Sequence, residues 1–189
     1  QLLDLVSKNI ELMFFADEKK LNQLKDMLNL TKIPVIIECF DISHLSGTAM
    51  VGSMVQFRNA KPSKENYRRF KIKTVEGIDD FSAIAETVRR RYIRLINEQT
   101  QLPDLIVIDG GIGQLNAALS ELIKLNLRLP VISIAKEFED IYVPGSSDPL
   151  MIDKKSSSLL LIRSIRDEAH RFAINYNRLL RKKQFIRDK

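Results

Sequence analysis

The chain has little of what a cross-linked, zinc-bound or membrane-spanning protein needs. Its single cysteine, Cys39, excludes a disulfide within the chain, and one cysteine with two histidines cannot build a closed zinc site. No apolar run approaches the roughly 20 residues of a membrane span, and no signal-peptide pattern follows the first residue. Internal repeats and low-complexity tracts are also absent from the sequence. These absences favour a protein of a reducing cytoplasm.

The composition is that of a folded, basic domain. The 189 residues are 44% hydrophobic, which is enough for one domain with a core. Because the chain begins with Gln1, we expect a piece of a longer protein. The net charge is +6, and positive residues concentrate in the segments 67–73, 89–94 and 181–187. A solvated surface explains any one cluster alone, but three together favour DNA or RNA as a partner.

The hydrophobic pattern predicts a mixed α/β domain. Residues 1–31 show helical spacing and form either a linker or a helix packed on the domain, which we assign to 32–189. A three-strand antiparallel meander followed by βα units predicts a five-stranded mixed sheet flanked by helices. A small hairpin is predicted around Pro144 and Gly145, between 141–143 and 150–152. The predicted strands are 35–41, 50–57, 67–74, 105–109 and 131–135, and the later helices begin near Asp80, Gln114 and Ser157.

Two of the predicted strands end in an aspartate. Asp41 closes the first strand and Asp109 the fourth, and these strands can lie side by side at the centre of the sheet. Adjacent carboxylates repel and desolvate each other, and a divalent cation between them removes that cost. Taken singly, Asp41 is better explained as a turn residue or helix cap, and Asp109 can be a helix-entry residue that accepts backbone N–H bonds. The glycine-rich turn 110–113 could also bind phosphate, although its spacing fits neither common nucleotide-binding motif.

A histidine could complete such a site. His170 lies at the edge of the buried stripe of the last helix, while His44 follows Asp41 in a predicted turn, 43–47, and competes with it. Carboxylate oxygens suit Mg²⁺ or Mn²⁺, and an imidazole can bind the metal or transfer a proton near neutral pH. Arginines close by would hold a phosphate backbone. The pattern therefore indicates metal-dependent phosphate chemistry.

Three segments carry a family resemblance. Residues 38–44 (ECFDISH), 107–115 (VIDGGIGQL) and 165–170 (IRDEAH) resemble the C-terminal nuclease domain of UvrC, the incision subunit of bacterial nucleotide excision repair. The resemblance extends over roughly residues 20–182. One departure is Ile112, where members of that family often carry a lysine that contacts phosphate.

The resemblance implies an RNase H-like fold and a divalent-metal DNA endonuclease that cuts the damaged strand on the 5′ side of a lesion. It implies Asp41, Asp109 and His170 as catalytic and metal-binding residues, with Mg²⁺ or Mn²⁺ as cofactor and Lys136 and Asp80 as accessory groups. It also implies work on DNA beside a damage-bound, UvrB-type helicase subunit, and we expect the isolated domain to be a monomer. We expect DNA contacts from six arginines: Arg68, Arg69, Arg89, Arg90, Arg163 and Arg166.

Two other functions compete with this one. A non-catalytic RNase H-like module would bind nucleic acid or a partner protein without a specific manganese site. A nucleotide-binding α/β domain would use the turn 110–113 and bind ATP or GTP saturably.

Overall fold

The computed structural model describes the backbone of residues 2–45, 49–75, 77–136 and 139–187. Seven strands form one sheet: β1 Ile36–Leu45, β2 Ala49–Arg58, β3 Lys61–Pro62, β4 Arg68–Lys71, β5 Leu105–Asp109, β6 Val131–Ile134 and β7 Ile141–Tyr142. Four helices surround it: α1 Leu2–Met27, α2 Asp80–Asn97, α3 Ile112–Lys124 and α4 Ser157–Arg187. A 3₁₀ turn, Lys64–Asn66, connects β3 to β4.

The sheet is mixed, as the sequence predicts. Its order is β3-β2-β1-β5-β6-β7, and β4 also pairs with β2. The pairs β1–β2 and β2–β4 are antiparallel, and β1–β5 and β5–β6 are parallel. Strands β1, β2, β4, β5 and β6 are the five predicted ones, and β3 and β7 add two residues each at the margins. The parallel strands at the centre are covered by helices on both faces, as such strands require.

Strand alternation divides the core into two layers. One face, which carries Ile37, Cys39 and Val107, packs against α4 and the end of α1. The opposite face, which carries Phe40 and Ile108, packs against α2 and α3. We call these the α4 face and the α2 face.

Helix α1 packs on the domain in its last turns. Leu21 and Leu24 are buried in the core of the α4 face, and Ser158 Oγ at the start of α4 lies 3.4 Å from the sulfur of Met27. The boundary at residue 31 stays a prediction. Among the described residues, no helix combines the length and apolarity needed to cross a membrane.

Two predicted local features are wrong. Strand β1 does not end at Asp41 but continues to Leu45, because its pairing with β2 is unbroken, so Ser43 and His44 are strand residues. Residues 46 and 47 of that predicted turn lie outside the described part of the chain, as do the side chains of the basic segment 181–187. The predicted hairpin between 141–143 and 150–152 is also wrong, because β7 pairs with the open edge of β6 and not with 150–152. Residue Leu150 makes one backbone hydrogen bond to Ile141.

A buried polar network ties β1 to α2. The carboxylate of Glu38 accepts hydrogen bonds from Arg91 Nη2 at 2.5 Å, Tyr92 Oη at 3.1 Å and Gln56 Nε2 at 3.1 Å. Glu38 is fully buried and Arg91 is 6% exposed. Removing one partner of such a pair leaves an uncompensated buried charge, which costs far more than loss of an exposed pair.

We expect Arg91→Met to lower the free energy of unfolding by about 3 to 5 kcal/mol, because the carboxylate of Glu38 loses its cation. The measurement is urea unfolding at pH 7. The matched control is Arg94→Met, which breaks the exposed pair with Glu98 and is expected to cost less than about 1 kcal/mol. Equal losses in the two variants would contradict the prediction.

Candidate metal centre

The register of β1 and β5 brings the two aspartates together. The last paired residues are Phe40 and Ile108, so the next residue on each strand is Asp41 and Asp109, respectively. Both side chains point to the α4 face, because they continue the alternation of Cys39 and Val107. Both are buried, with 1% and 7% of the residue exposed. The parallel pairing therefore places two carboxylates side by side beneath α4.

A histidine and a lysine lie over this pair. His170 on α4 directs Nδ1 towards Asp41, at 3.9 Å from Oδ2. Lys136, which follows β6, places Nζ 4.0 Å from Asp41 Oδ1 and 3.9 Å from Asp109 Oδ2. One ligand atom from each of Asp41, Asp109 and His170 lies within 4.8 Å of the others. The structure thus gathers the three residues expected to bind metal, and Lys136 with them.

The electrostatics of the pair favour a cation. Burial, reinforced by the charge of Asp109 and opposed by that of Lys136, raises the pKa of Asp41 to about 8. Burial also raises the pKa of Asp109, against the opposing positive charges of Lys136 and Arg166. No carboxylate oxygen of either residue has a hydrogen-bond partner. Four buried oxygens without donors are costly unless a cation binds them, so the donor set fits Mg²⁺ or Mn²⁺.

A further acidic residue, Asp80, borders the site from the α2 face. Asp79, not Asp80, caps α2 by accepting hydrogen bonds from the backbone of Phe81 and Ser82. Asp80 instead lies 3.0 Å from His44 Nε2, and its charge contributes to raising the pKa of Asp41. Asp80, Asp109 and Lys136 line a common cleft of about 260 Å³. His44 therefore lies beside Asp80 rather than in the trio.

Helix α3 occupies part of the hydrogen-bonding capacity of the glycine-rich turn 110–113. The backbone N–H of Gly111 donates to Gln114 Oε1 at 3.1 Å, so this amide is already engaged. A Cβ at Gly113 would lie 2.4 Å from Phe81 Cε1, so a larger residue here would require the exposed Phe81 ring to move. The turn packs α2 against α3, and this structural role weakens its interpretation as a phosphate-binding loop.

Four of the six expected DNA-binding arginines are held by groups of the chain. Arg68 donates to the carbonyls of Glu65 and Tyr67. Arg90 bonds Glu86 and the carbonyl of Lys71. Arg163 and Arg166 both pair with Glu139. The two others differ: Arg89 is exposed on α2, and Arg69 contacts aromatic rings on α4.

Sequence reasoning missed the residues that pair with these arginines. Glu139 adopts a left-handed backbone conformation, φ 58°, just after β6, and no pattern signals that its carboxylate will meet α4. Phe172 and Tyr176, the two rings that contact Arg69, are four residues apart on α4. Their i, i+4 spacing was the available signal that one cation could contact both rings.

The fold and the centre define a class of protein. It is an α/β domain whose mixed sheet is covered by helices and carries two adjacent acidic residues at its middle. The chain matches the model of the UvrC RNase H endonuclease domain over residues 25–174, and it belongs to that family. The predicted fold class and the family resemblance are thereby confirmed.

Relatives with high identity agree with this assignment. The chain is 64% identical over 98% of its length to the UvrABC system protein C of Methanosarcina mazei, and 64% identical over 99% to that of Methanococcus maripaludis. It is 52% identical over 85% of its length to the protein of the same name from Chlorobium chlorochromatii. The chain spans 36%, 36% and 26% of these three relatives, respectively.

Solved structures resemble the chain only loosely. Endonuclease V of Ciona intestinalis, in complex with a 24mer DNA containing an inosine followed by a ribo-adenosine, is 14% identical with a TM-score of 0.42; the match covers 68% of this chain and 60% of that one. RuvC of Thermus thermophilus is 11% identical with a TM-score of 0.30, over 67% and 89% of the two chains. Likeness at this level carries no argument about this chain.

We expect Asp41→Asn to stabilise the metal-free protein at pH 8 by roughly 1 to 3 kcal/mol, or about 3 to 10 °C in Tm. A carboxyl whose folded pKa is raised keeps its proton while the unfolded chain releases it, so stability falls between about pH 4 and pH 8. The asparagine carries no such charge, and its advantage should vanish near pH 4. Differential scanning calorimetry in EDTA measures this.

The control for Asp41→Asn is Asp148→Asn, which removes the charge of an exposed aspartate. Its Tm should follow that of the unsubstituted chain at every pH. A Tm of Asp41→Asn below that of the unsubstituted chain at pH 8 would show that the carboxylate is stabilised in the folded protein without a cation.

Proposed function

We propose that this chain is a divalent-metal-dependent DNA endonuclease domain that makes the 5′ incision on the damaged strand in nucleotide excision repair. The observation that carries the proposal is the meeting of Asp41, Asp109 and His170 within 4.8 Å at the centre of the sheet. The family adds support, since its description names an endonuclease domain. The 5′ polarity rests on the resemblance of the three sequence segments alone.

The carboxylates of Asp41 and Asp109 would hold Mg²⁺ or Mn²⁺, with His170 as a third ligand or as a proton-transfer group. The cation, when bound, would supply a nucleophile derived from water at neutral pH and neutralise charge developing on the phosphate. The expected reaction is direct hydrolysis of a phosphodiester, without a covalent enzyme intermediate.

The remaining roles belong to side chains of the chain itself. The pair at the centre is rigid, because both aspartates are buried in paired strands. Lys136 lies within 4.0 Å of both carboxylates, and 61% of its side chain is exposed, so its ammonium can also reach a phosphate oxygen. His170 is half-exposed above Asp41, where its imidazole can take a proton from an attacking water or give one to a leaving oxygen.

The partner and setting follow from the names of the relatives. They are called UvrABC system protein C, a name that places them in a multi-protein system. We propose that this chain acts on DNA in the cytoplasm with a UvrB-type helicase subunit bound at the lesion. That partner would then select the lesion, and this domain would cut the strand.

The first test is manganese binding. We expect the unsubstituted chain to bind Mn²⁺ at one specific site, and Asp109→Ala to weaken binding by at least about tenfold, because a carboxylate that would bind the metal directly is lost. Isothermal titration calorimetry measures the affinity, with Asp148→Ala as the matched control. An unsubstituted chain without a specific manganese site would support the non-catalytic module instead.

The second test is cleavage in the full repair complex. A duplex with one lesion, labelled on the damaged strand, should be nicked 5′ of the lesion with Mg²⁺ or Mn²⁺. Asp41→Asn, Asp109→Ala and His170→Ala should each reduce that nick by about 100-fold or more. The nick 3′ of the lesion serves as the internal control. Intact metal-dependent 5′ nicking by Asp109→Ala would overturn the assignment of the centre.

A further inference from the structure

We propose that Arg69, held between Phe172 and Tyr176, is a second phosphate subsite that binds the DNA backbone on the β4 side of α4, outside the metal centre. This inference rests on the proposed function and names the part of the protein that sets the position of the strand. Its ligand is a phosphodiester of the DNA backbone, contacted without regard to base.

The sheet itself places Arg69 in line with the metal centre. In the antiparallel ladders, Asp41 pairs with Ser53, and Ser53 pairs with Arg69. Directly paired residues share a face, so all three side chains point to the α4 face. Two strand spacings separate the backbones of Asp41 and Arg69, about 10 Å. The two residues are thus too far apart to share one phosphate, so Arg69 would contact a different part of the DNA backbone from the metal centre.

Helix α4 fixes where the guanidinium lies. The guanidinium carbon of Arg69 lies 4.4 Å from the ring centroid of Phe172 and 4.7 Å from that of Tyr176. These rings lie two and six residues after His170, so at 3.6 residues per turn they project from the opposite flank of α4. Arg69 therefore lies on the β4 side of α4, and the metal centre lies on the β5 side.

The aromatic contacts leave the donors of Arg69 open. A guanidinium has five N–H groups in its plane, and contact with ring faces uses none of them. Within the described residues, Arg69 makes no hydrogen bond or ion pair with the chain, and it is exposed. The rings of Phe172 and Tyr176 restrict the Arg69 side chain before a ligand arrives, which lowers the entropy cost of binding. This is the arrangement expected for bidentate recognition of a phosphate.

Carboxylates near this cluster are already occupied. Glu168 accepts hydrogen bonds from Tyr67 Oη at 2.9 Å and from two nitrogens of Arg171 at 2.6 Å. The Tyr67 ring lies edge-on to Phe172 at 5.1 Å, so the same tyrosine that engages Glu168 also supports the ring below Arg69. Arg163 and Arg166, by contrast, are neutralised by Glu139. Arg69 therefore keeps an uncompensated positive charge on the α4 face.

The test measures binding of a fluorescein-labelled single-stranded oligonucleotide by anisotropy at several KCl concentrations, in EDTA. Without metal no strand is cut, so the result does not depend on catalysis. We expect Arg69→Gln to weaken binding about five- to tenfold at low salt and to reduce the slope of log K against log[KCl] by about 0.7, the loss of one phosphate contact.

Three other variants separate charge from structure. Arg128→Gln is the matched control, because Arg128 is exposed in the α3–β6 connection at the opposite end of the strands; its slope should not change. Arg69→Lys keeps the charge, so its slope should match the unsubstituted chain while its affinity falls about two- to threefold. Phe172→Leu removes one ring and should weaken binding without changing the slope.

Each outcome decides something. An unchanged slope for Arg69→Gln, with normal binding by the unsubstituted chain, would overturn the second subsite and leave the proposed nuclease intact. A lower Tm of Arg69→Gln together with an unchanged slope would show that the cluster only holds β4 to α4. An unsubstituted chain without salt-dependent binding would also overturn the second subsite, and the nicking test in the full repair complex would decide the nuclease separately.

Discussion

The parallel pairing of β1 with β5 is the constraint on which the rest of this molecule depends. That pairing places two carboxylates next to each other at the buried middle of a sheet, where like charges are least tolerated. Nothing in fold stability alone would favour such an arrangement, since every one of the four oxygens lacks a hydrogen-bond donor. The surroundings instead supply a lysine, a histidine and, further away, arginine charge. The domain is built around two buried carboxylates that repel each other, and a bound cation would neutralise that repulsion.

Part of this architecture can be predicted because it follows from local patterns. Strand alternation and the acidic residue after each apolar run are visible in the sequence, and they led to Asp41 and Asp109. His170 was harder, since helical spacing alone places it only at the edge of a buried stripe. The three ordered segments of the resemblance singled it out from His44.

The rest could not be predicted because it depends on partners distant in the chain. The end of β1 was misplaced since its extension is decided by pairing with β2, not by its own residues. The short strand β7 pairs with β6 because the outer edge of β6 was open. The contact of Glu139 with α4 arises from a loop whose course has no periodicity. In each case tertiary pairing, not local propensity, decided the outcome.

The charge of the chain is distributed less freely than its net value of +6 suggests. Arg90, Arg91, Arg94 and Arg171 are all paired with carboxylates of the same chain. Such pairs hold helices and strands together and present little field to a distant polyanion. Among the residues that the structure describes near the centre, Lys136 faces the two aspartates with 61% of its side chain exposed, and Arg69 makes no ion pair. The proposed binding of a strand would therefore depend on the position of these charges more than on the net charge.

The uninterrupted run of β1 past Asp41 has a mechanical consequence. An aspartate at the end of a strand could move with the loop that follows. Asp41 is held in place instead, because the residues before and after it in β1 pair with β2. His170 and the aromatic pair around Arg69 are carried by a single helix instead. The sheet therefore fixes the positions of the two aspartates, while His170 can move only with α4. A tilt of α4 would change the distance from His170 to the aspartates without moving the aspartates themselves.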